Sequence, residues 1–258
     1  MTDDTLPYRI VGLYSFPKSG NTWLRAVVAG IAGIPEGPAT LQKYVTDTHY
    51  GRVVEDPWEF QGINWYFYKS HHKNVLTEHK EQTFVTDKVL YIYRHPLDVF
   101  VSYLNFISNN VSPQAGASLG ISFDRVEDLT GPEMERLFSA FVAHGTLFPQ
   151  NRMFGSIFEN IGNFRRLKEE NPDLVHILRY EDLMDDFRGE VRKICDFVGF
   201  RDIDVEAVFQ AADKRTQKNG KFFWKRQKEN YRNYLSAAQV DRFHYVYGKE
   251  MKQLGYEA

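Results

Sequence analysis

Two stretches of this chain carry residues that could hold an anion. The first is Phe16-Pro17-Lys18-Ser19-Gly20-Asn21-Thr22-Trp23. A glycine-containing loop that feeds a helix offers backbone N–H groups and the positive end of the helix dipole to a phosphate. Lys18 adds a full charge, and Ser19 and Thr22 add hydroxyl donors. No Lys-Ser/Thr pair follows the final glycine, so this is not the loop of the triphosphate enzymes. The second stretch is Tyr93-Arg94-His95-Pro96-Leu97-Asp98, with Ser102 two turns into the next helix. Arg94 can make forked hydrogen bonds to a phosphate that Ser102 also reaches. Alone, the first stretch would pass for a polar turn, and Arg94 for an ion-pair partner of Asp98. From Lys214 to Arg232 there are also eight Lys/Arg and one acidic residue, Glu229. Such a run suits a solvated surface or an anion-binding strap.

These residues need elements to place them. Arg9 to Phe16 is a short apolar run and predicts a buried strand. A helix begins near Thr22, with Leu24, Val27, Val28 and Ile31 on one stripe, and ends at Gly33 and Pro35. Further strands are expected at 64–68, 89–93 and 174–178. Further helices are expected from Pro96 to about Asn109, at 134–145 and 154–170, along Val191, Ile194, Cys195 and Val198, and at Tyr247, Met251 and Leu254. Residues 36–62 read as irregular, and 110–135 as a long loop. Strands alternating with helices predict an α/β fold: one domain over 1–258, a P-loop-like parallel sheet with helices on both faces. Ligands bind such sheets beyond the carboxyl ends of the strands, where the polar residues fall.

Taken together, the two anion stretches resemble the sulfotransferase family that uses 3′-phosphoadenosine 5′-phosphosulfate (PAPS). Its 5′-phosphosulfate loop resembles Tyr14-Ser15-Phe16-Pro17-Lys18-Ser19-Gly20-Asn21-Thr22-Trp23-Leu24-Arg25. Its 3′-phosphate motif resembles Tyr91-Ile92-Tyr93-Arg94-His95-Pro96-Leu97-Asp98-Val99-Phe100-Val101-Ser102-Tyr103. The resemblance covers most of the chain and is thin over 36–62 and 110–150. It implies that Lys18 stabilises the leaving group, that Ser19, Gly20, Asn21 and Thr22 supply donors to the 5′-phosphate, and that Trp23 stacks on adenine with Tyr180 near it. Arg94 and Ser102 would hold the 3′-phosphate. Lys69-Ser70-His71 matches the family's Lys-Thr/Ser-His, which makes His71 the general base and sets Lys69 on the sulfuryl oxygens. His72 is adjacent and is the other candidate base. The family's Arg-Lys-Gly element is not intact near the C-terminus, and Tyr231 stands where Trp is usual. Lys225, Arg226 or Lys228 would grip the 3′-phosphate there.

The reaction so implied is sulfuryl transfer from PAPS to an acceptor hydroxyl or amine of a small molecule, with no metal. It needs a base for the acceptor, cations for developing charge and in-line placement. One alternative, a P-loop kinase or NTPase, would need magnesium ligands that the loop lacks. Another, a nucleotide binder without catalysis, would not need Lys18, Lys69 and His71 together at strand ends. The net charge of -2 gives no field for nucleic acid. Cys195 is the single cysteine, and Met1 to Pro7 shows no secretory signal. No apolar stretch has bilayer length. A soluble cytoplasmic protein is expected. Arg232, Ser236, Ala237 and Asp241 are spaced like the family's short dimerisation element, which implies a homodimer.

Overall fold

The computed structural model describes residues 7–217 and 227–256. Along the chain run β1 (Tyr8–Tyr14), α1 (Asn21–Ile31), α2 (Pro38–Tyr44), β2 (Val45–Asp47), β3 (Trp58–Phe60), β4 (Ile63–Ser70), β5 (Glu78–His79), β6 (Gln82–Thr83), β7 (Lys88–Tyr93), α3 (Pro96–Ile107), α4 (Pro113–Ser118), α5 (Gly131–His144), α6 (Ile157–Glu170), β8 (Val175–Arg179), α7 (Tyr180–Asp185), α8 (Phe187–Val198), α9 (Val205–Gln217) and α10 (Ala237–Gln253). They fall into two compact units. Of the described residues, one holds 7–93 with 160–217, the other 94–159 with 227–256.

The first unit is α/β. Its main sheet has the order β2-β4-β1-β7-β8, and each neighbouring pair in that path is parallel. On one face Tyr14 and Tyr91 lie opposite each other in register. Phe164 of α6 stacks on Tyr91 at 4.3 Å between ring centres and packs on Tyr14 at 5.0 Å. On the other face Trp65 and Phe67 lie parallel under Phe200, the residue that leaves the end of α8. Both faces are therefore dry, which is why the strands read as continuous apolar runs. Gly12 makes room for this packing, since a Cβ there would come within 2.5 Å of the Tyr14 ring and 2.8 Å of the Tyr68 hydroxyl. The buried hydroxyls satisfy one another: Tyr14 to Tyr68 at 2.7 Å, and Tyr68 to Thr86 at 2.7 Å.

The second unit is helical. Phe100 of α3 packs on Phe138 and Phe141 of α5, and Phe141 faces Phe243 of α10. Thr130 with Glu133 and Ser236 with Gln239 form reciprocal caps that start α5 and α10. Ser236 thus has capping work within the chain. Arg232 pairs with Glu229 at 3.0 Å. Two of the four residues that the sequence assigns to self-association are already engaged locally.

Several expectations need correction. The sheet is mixed, because β3 runs antiparallel against β4. The stretch 36–62 is not irregular and holds α2, β2 and β3. The stretch 110–135 is not one loop: it contains α4, a 3-10 turn at Val126–Asp128 and the start of α5. β1 stops at Tyr14, and Lys69 and Ser70 lie inside β4 rather than beyond it. Among the described residues, no helix is long and apolar enough to cross a membrane.

Candidate active site

The turn from β1 to α1 has the features that would suit an anion. Lys18 has φ 69° and Gly20 φ 106°, so the backbone makes two left-handed excursions before the helix starts. Gly20 occupies the cap position of α1 with no side-chain cap, and the first turn carries no acidic residue. The leading N–H groups of a helix need a partner from outside it, and an oxyanion is a natural one. Ser19 is fully buried, and among the described residues its hydroxyl has no hydrogen-bond partner. A buried orphan hydroxyl costs free energy unless something else meets it. Gly20 is needed on a second count: a Cβ there would lie 2.5 Å from the Tyr180 ring, at the start of α7. The Tyr180 ring meets Trp23 edge-on at 5.3 Å, and Trp23 stacks on Phe187 at 6.2 Å. The structure thus gathers Ser19, Gly20, Trp23 and Tyr180 in one place. Orphan hydroxyl, uncapped helix and glycine together fit the 5′ end of PAPS.

His71 and Lys69 come from the end of β4, which lies beside β1. The His71 Nδ1 is 2.9 Å from the Ser15 carbonyl and 3.2 Å from the Ser15 hydroxyl. A carbonyl only accepts, so Nδ1 carries the ring proton and Nε2 keeps the lone pair. Asn21 donates to the Ser15 hydroxyl at 3.2 Å and to the Leu13 carbonyl at 3.1 Å, which ties this support to α1. From α6, Asn160 donates to the His71 carbonyl at 3.3 Å and accepts the Tyr91 hydroxyl at 2.7 Å. Burial, then the neighbouring Lys69, push the His71 imidazole well below the usual histidine range. The ring is therefore neutral at physiological pH, as a base must be.

Lys69 makes a 2.9 Å ion pair with Asp47 of β2, and the two side chains are only 14% and 13% exposed. Asp47 lies opposite Lys69 in the β2–β4 register. Sequence reasoning missed Asp47, Ser15 as the support of His71, and Asn160. Asp47 lies in the stretch whose sequence reads as irregular, and none of the three belongs to a recognisable spacing.

In the second unit Arg94 is buried. It donates to the Gln227 carbonyl at 3.0 Å and lies 3.7 Å from the Asp98 carboxylate. Asp98 accepts the backbone N–H groups of Glu229 and Tyr231, both at 3.0 Å. Tyr231 stacks on His95 at 4.6 Å. This accounts for an aromatic residue at 231: it packs on the histidine after Arg94. Burial holds the His95 imidazole down at about 3, so it stacks as a neutral ring. The end of the basic run is thereby pinned to the Arg94 motif. Lys228 is exposed on that segment, while Lys225 and Arg226 lie outside the described residues. Ser102 is half-buried on α3.

A mostly parallel sheet with a glycine-containing turn at its first strand–helix junction is an arrangement that suits the phosphates of a nucleotide. The chain belongs to the sulfotransferase family, whose sulfotransferase domain matches residues 10–255. It is accordingly a sulfotransferase, an enzyme that transfers a sulfuryl group. Mouse sulfotransferase 2A6 is 26% identical over 268 residues, covering 93% of this chain and 83% of the relative. Flavonol 3-sulfotransferase of Flaveria bidentis is 25% identical over 195 residues, covering 73% of this chain and 56% of the relative. Mouse sulfotransferase SULT7A1 complexed with PAP shares the fold with a TM-score of 0.60 at 18% identity, covering 95% of this chain and 84% of that one. Retinol dehydratase in complex with retinol and PAP does so with a TM-score of 0.62 at 14% identity, covering 96% and 83%.

Proposed function

We propose that the acceptor is a small molecule with a hydroxyl or amine, and that His71 takes its proton. The observation that carries this reading is the His71 ring, neutral and held through Nδ1 by the Ser15 carbonyl. The acceptor oxygen or nitrogen attacks sulfur, the bond from sulfur to the phosphate oxygen breaks, and the acceptor proton passes to Nε2. Lys18 stabilises the charge left on that oxygen, Lys69 meets the sulfuryl oxygens, and Ser19, Gly20, Asn21 and Thr22 hold the 5′-phosphate. Trp23 and Tyr180 contact adenine. Arg94 and Ser102 hold the 3′-phosphate, with Lys228, Lys225 or Arg226 beside it. The matched region, residues 10–255, draws on both compact units, which supports reading residues 1–258 as one catalytic domain, and we place it in the cytoplasm.

Adenosine 3′,5′-bisphosphate tests the donor site. At a hundredfold excess over Kd it is expected to add about 2.7 kcal/mol, or roughly 5–10 °C in Tm. ATP, without a 3′-phosphate, should add much less. Equal shifts would overturn the 3′-phosphate assignment.

Arg94→Ala tests one end of the nucleotide. Losing a charged hydrogen-bonding partner costs about 1.5–3 kcal/mol, so bisphosphate affinity should fall roughly ten- to hundredfold by calorimetry. Turnover at saturating donor should hold, because the 3′-phosphate does not react. A variant with intact affinity and poor turnover contradicts the role.

A further inference from the structure

Asp47 is placed with unusual care for a residue in a three-residue strand. The Oδ2 atom takes the Lys69 ammonium at 2.9 Å, and Oδ1 accepts the backbone N–H of His49 at 3.0 Å. The strand that carries it is tied down at both ends of its pairing. Arg25 of α1 donates to the Val45 carbonyl, and the Thr48 N–H donates to the Lys69 carbonyl at 3.0 Å. We propose that Asp47 is a positioning residue for sulfuryl transfer: it holds the Lys69 ammonium at the end of β4, two residues from His71. The inference rests on the reading of Lys69 and His71 as catalytic and deepens it.

The electrostatics explain why a carboxylate belongs there. The groups acting on this corner are Lys18 from the loop after β1, Arg25 from α1, Asp47 from β2, and Lys69 and His71 from β4 and its end. Lys69 and Arg25 both act on the Asp47 carboxylate, and Lys18 acts on His71, so cationic side chains outnumber the one carboxylate among the groups named. Burial pushes the Lys69 ammonium down, Asp47 pulls it back up, and Arg25 adds to the downward push. Without Asp47 the ammonium would lose its proton more readily and its fixed direction altogether. Asp47 also offsets part of the suppression of His71 by Lys69. The pair therefore serves position and charge together.

Trace acetylation at mildly alkaline pH, read by peptide mass spectrometry against the exposed Lys252, measures how much of Lys69 is neutral. An opposite charge in contact shifts a pKa by about 1–3 units, so Asp47→Asn should raise Lys69 labelling at least about tenfold. Asp47→Glu should stay near wild type. Asp47→Ser carries the same test if Asp47→Asn does not fold. Turnover is then measured with the acceptor identified by radiolabelled donor in host extracts. It should fall about tenfold or more in Asp47→Asn, as misplaced catalytic groups do, with bisphosphate affinity unchanged. In a Lys69→Met background, Asp47→Asn should cause no further loss. Unchanged labelling, or an equal loss in the Lys69→Met background, overturns the inference. A His71→Ala variant in the same series separates the two ideas. If it stays active, the base assignment falls, while Lys69 labelling still decides the role of Asp47.

Discussion

His71→Ala is expected to lower turnover about 10²–10⁴-fold, the usual contribution of a positioned general base, with bisphosphate affinity close to wild type. An acceptor hydroxyl is a poor nucleophile until its proton is being removed. His71 meets the requirements for that task by construction. The Ser15 carbonyl sets the tautomer, Asn160 holds the backbone at the same residue, and burial keeps the ring unprotonated. The folded imidazole titrates well below 6.5, so it stays a competent base through neutral and mildly acidic pH. Activity governed by His71 is lost only as pH falls through that depressed value. The acid limb of kcat/KM should accordingly lie well below 6.5.

His72 is the control. Its imidazole is also pushed down, by burial and then by Lys73, so protonation state alone does not separate the two histidines. Geometry does. Ser15, one residue past β1 and beside the proposed phosphate cradle, bonds the His71 ring. At His72 the backbone N–H is engaged by the Ser70 hydroxyl at 3.1 Å, and the ring's backbone partner is Asn74 rather than Ser15. His72→Ala should keep turnover within about threefold, as a substitution outside the chemical step does. Turnover and calorimetric bisphosphate affinity on both variants check this. A dead His72→Ala with a live His71→Ala would move the base by one residue. Two active variants would mean an acceptor acidic enough to need no base.

The parts of the site that were legible in the sequence are those whose chemistry is local. An apolar run into Pro17-Lys18-Ser19-Gly20, followed by a helical stripe, announces a strand, an anion turn and a helix within about two dozen residues. The apolar run predicts a strand ending at Phe16, two residues beyond Tyr14 where β1 stops. Ser15 and Phe16 look apolar enough to continue it, but the Phe16 carbonyl closes a turn by accepting the Ser19 N–H. What was not legible depends on pairing across long separations. β2 has three residues, too few for a periodicity, and only its register on β4 brings Asp47 opposite Lys69. Asn160 reaches His71 across 89 residues of sequence. α9 escaped for another reason. Val208, Ala212 and Thr216 recur every four residues and are buried, but small and polar types make a weak stripe. Their size matters: the Val208 side chain lies 3.3 Å from where a Cβ on Gly30 of α1 would stand. Close helix packing wants small residues, and small residues hide the pattern.

Gly20→Ala is expected to damage both stability and donor binding, whereas Gly33→Ala should damage stability alone. Both glycines sit in the left-handed region, Gly20 at φ 106° and Gly33 at φ 64°. A non-glycine residue there costs about 1–3 kcal/mol of backbone strain. At Gly33, just past the end of α1, that strain is the main cost, because among the described residues nothing beyond its chain neighbours lies within 4 Å of the added Cβ. At Gly20 the Cβ would stand 2.5 Å from Tyr180 Cδ2 and 3.3 Å from Ile92. One of three things must then move: the Tyr180 ring, the loop, or the first turn of α1. Overpacking of this kind adds about 1–3 kcal/mol. Each of those movements also disturbs the cradle. The ring is packed against Trp23, and the loop carries Lys18 and the orphan Ser19 hydroxyl. Bisphosphate affinity should fall more than about tenfold in Gly20→Ala, in keeping with the loss of one charge-assisted hydrogen bond. In Gly33→Ala it should stay within about twofold, since that site touches no part of the turn. Thermal melting measures the first effect and calorimetry the second. Adding Tyr180→Leu to Gly20→Ala should recover part of the lost stability, because it removes the clash while leaving the strained φ. If the two glycine variants lose affinity equally, the β1–α1 turn is not the phosphate cradle.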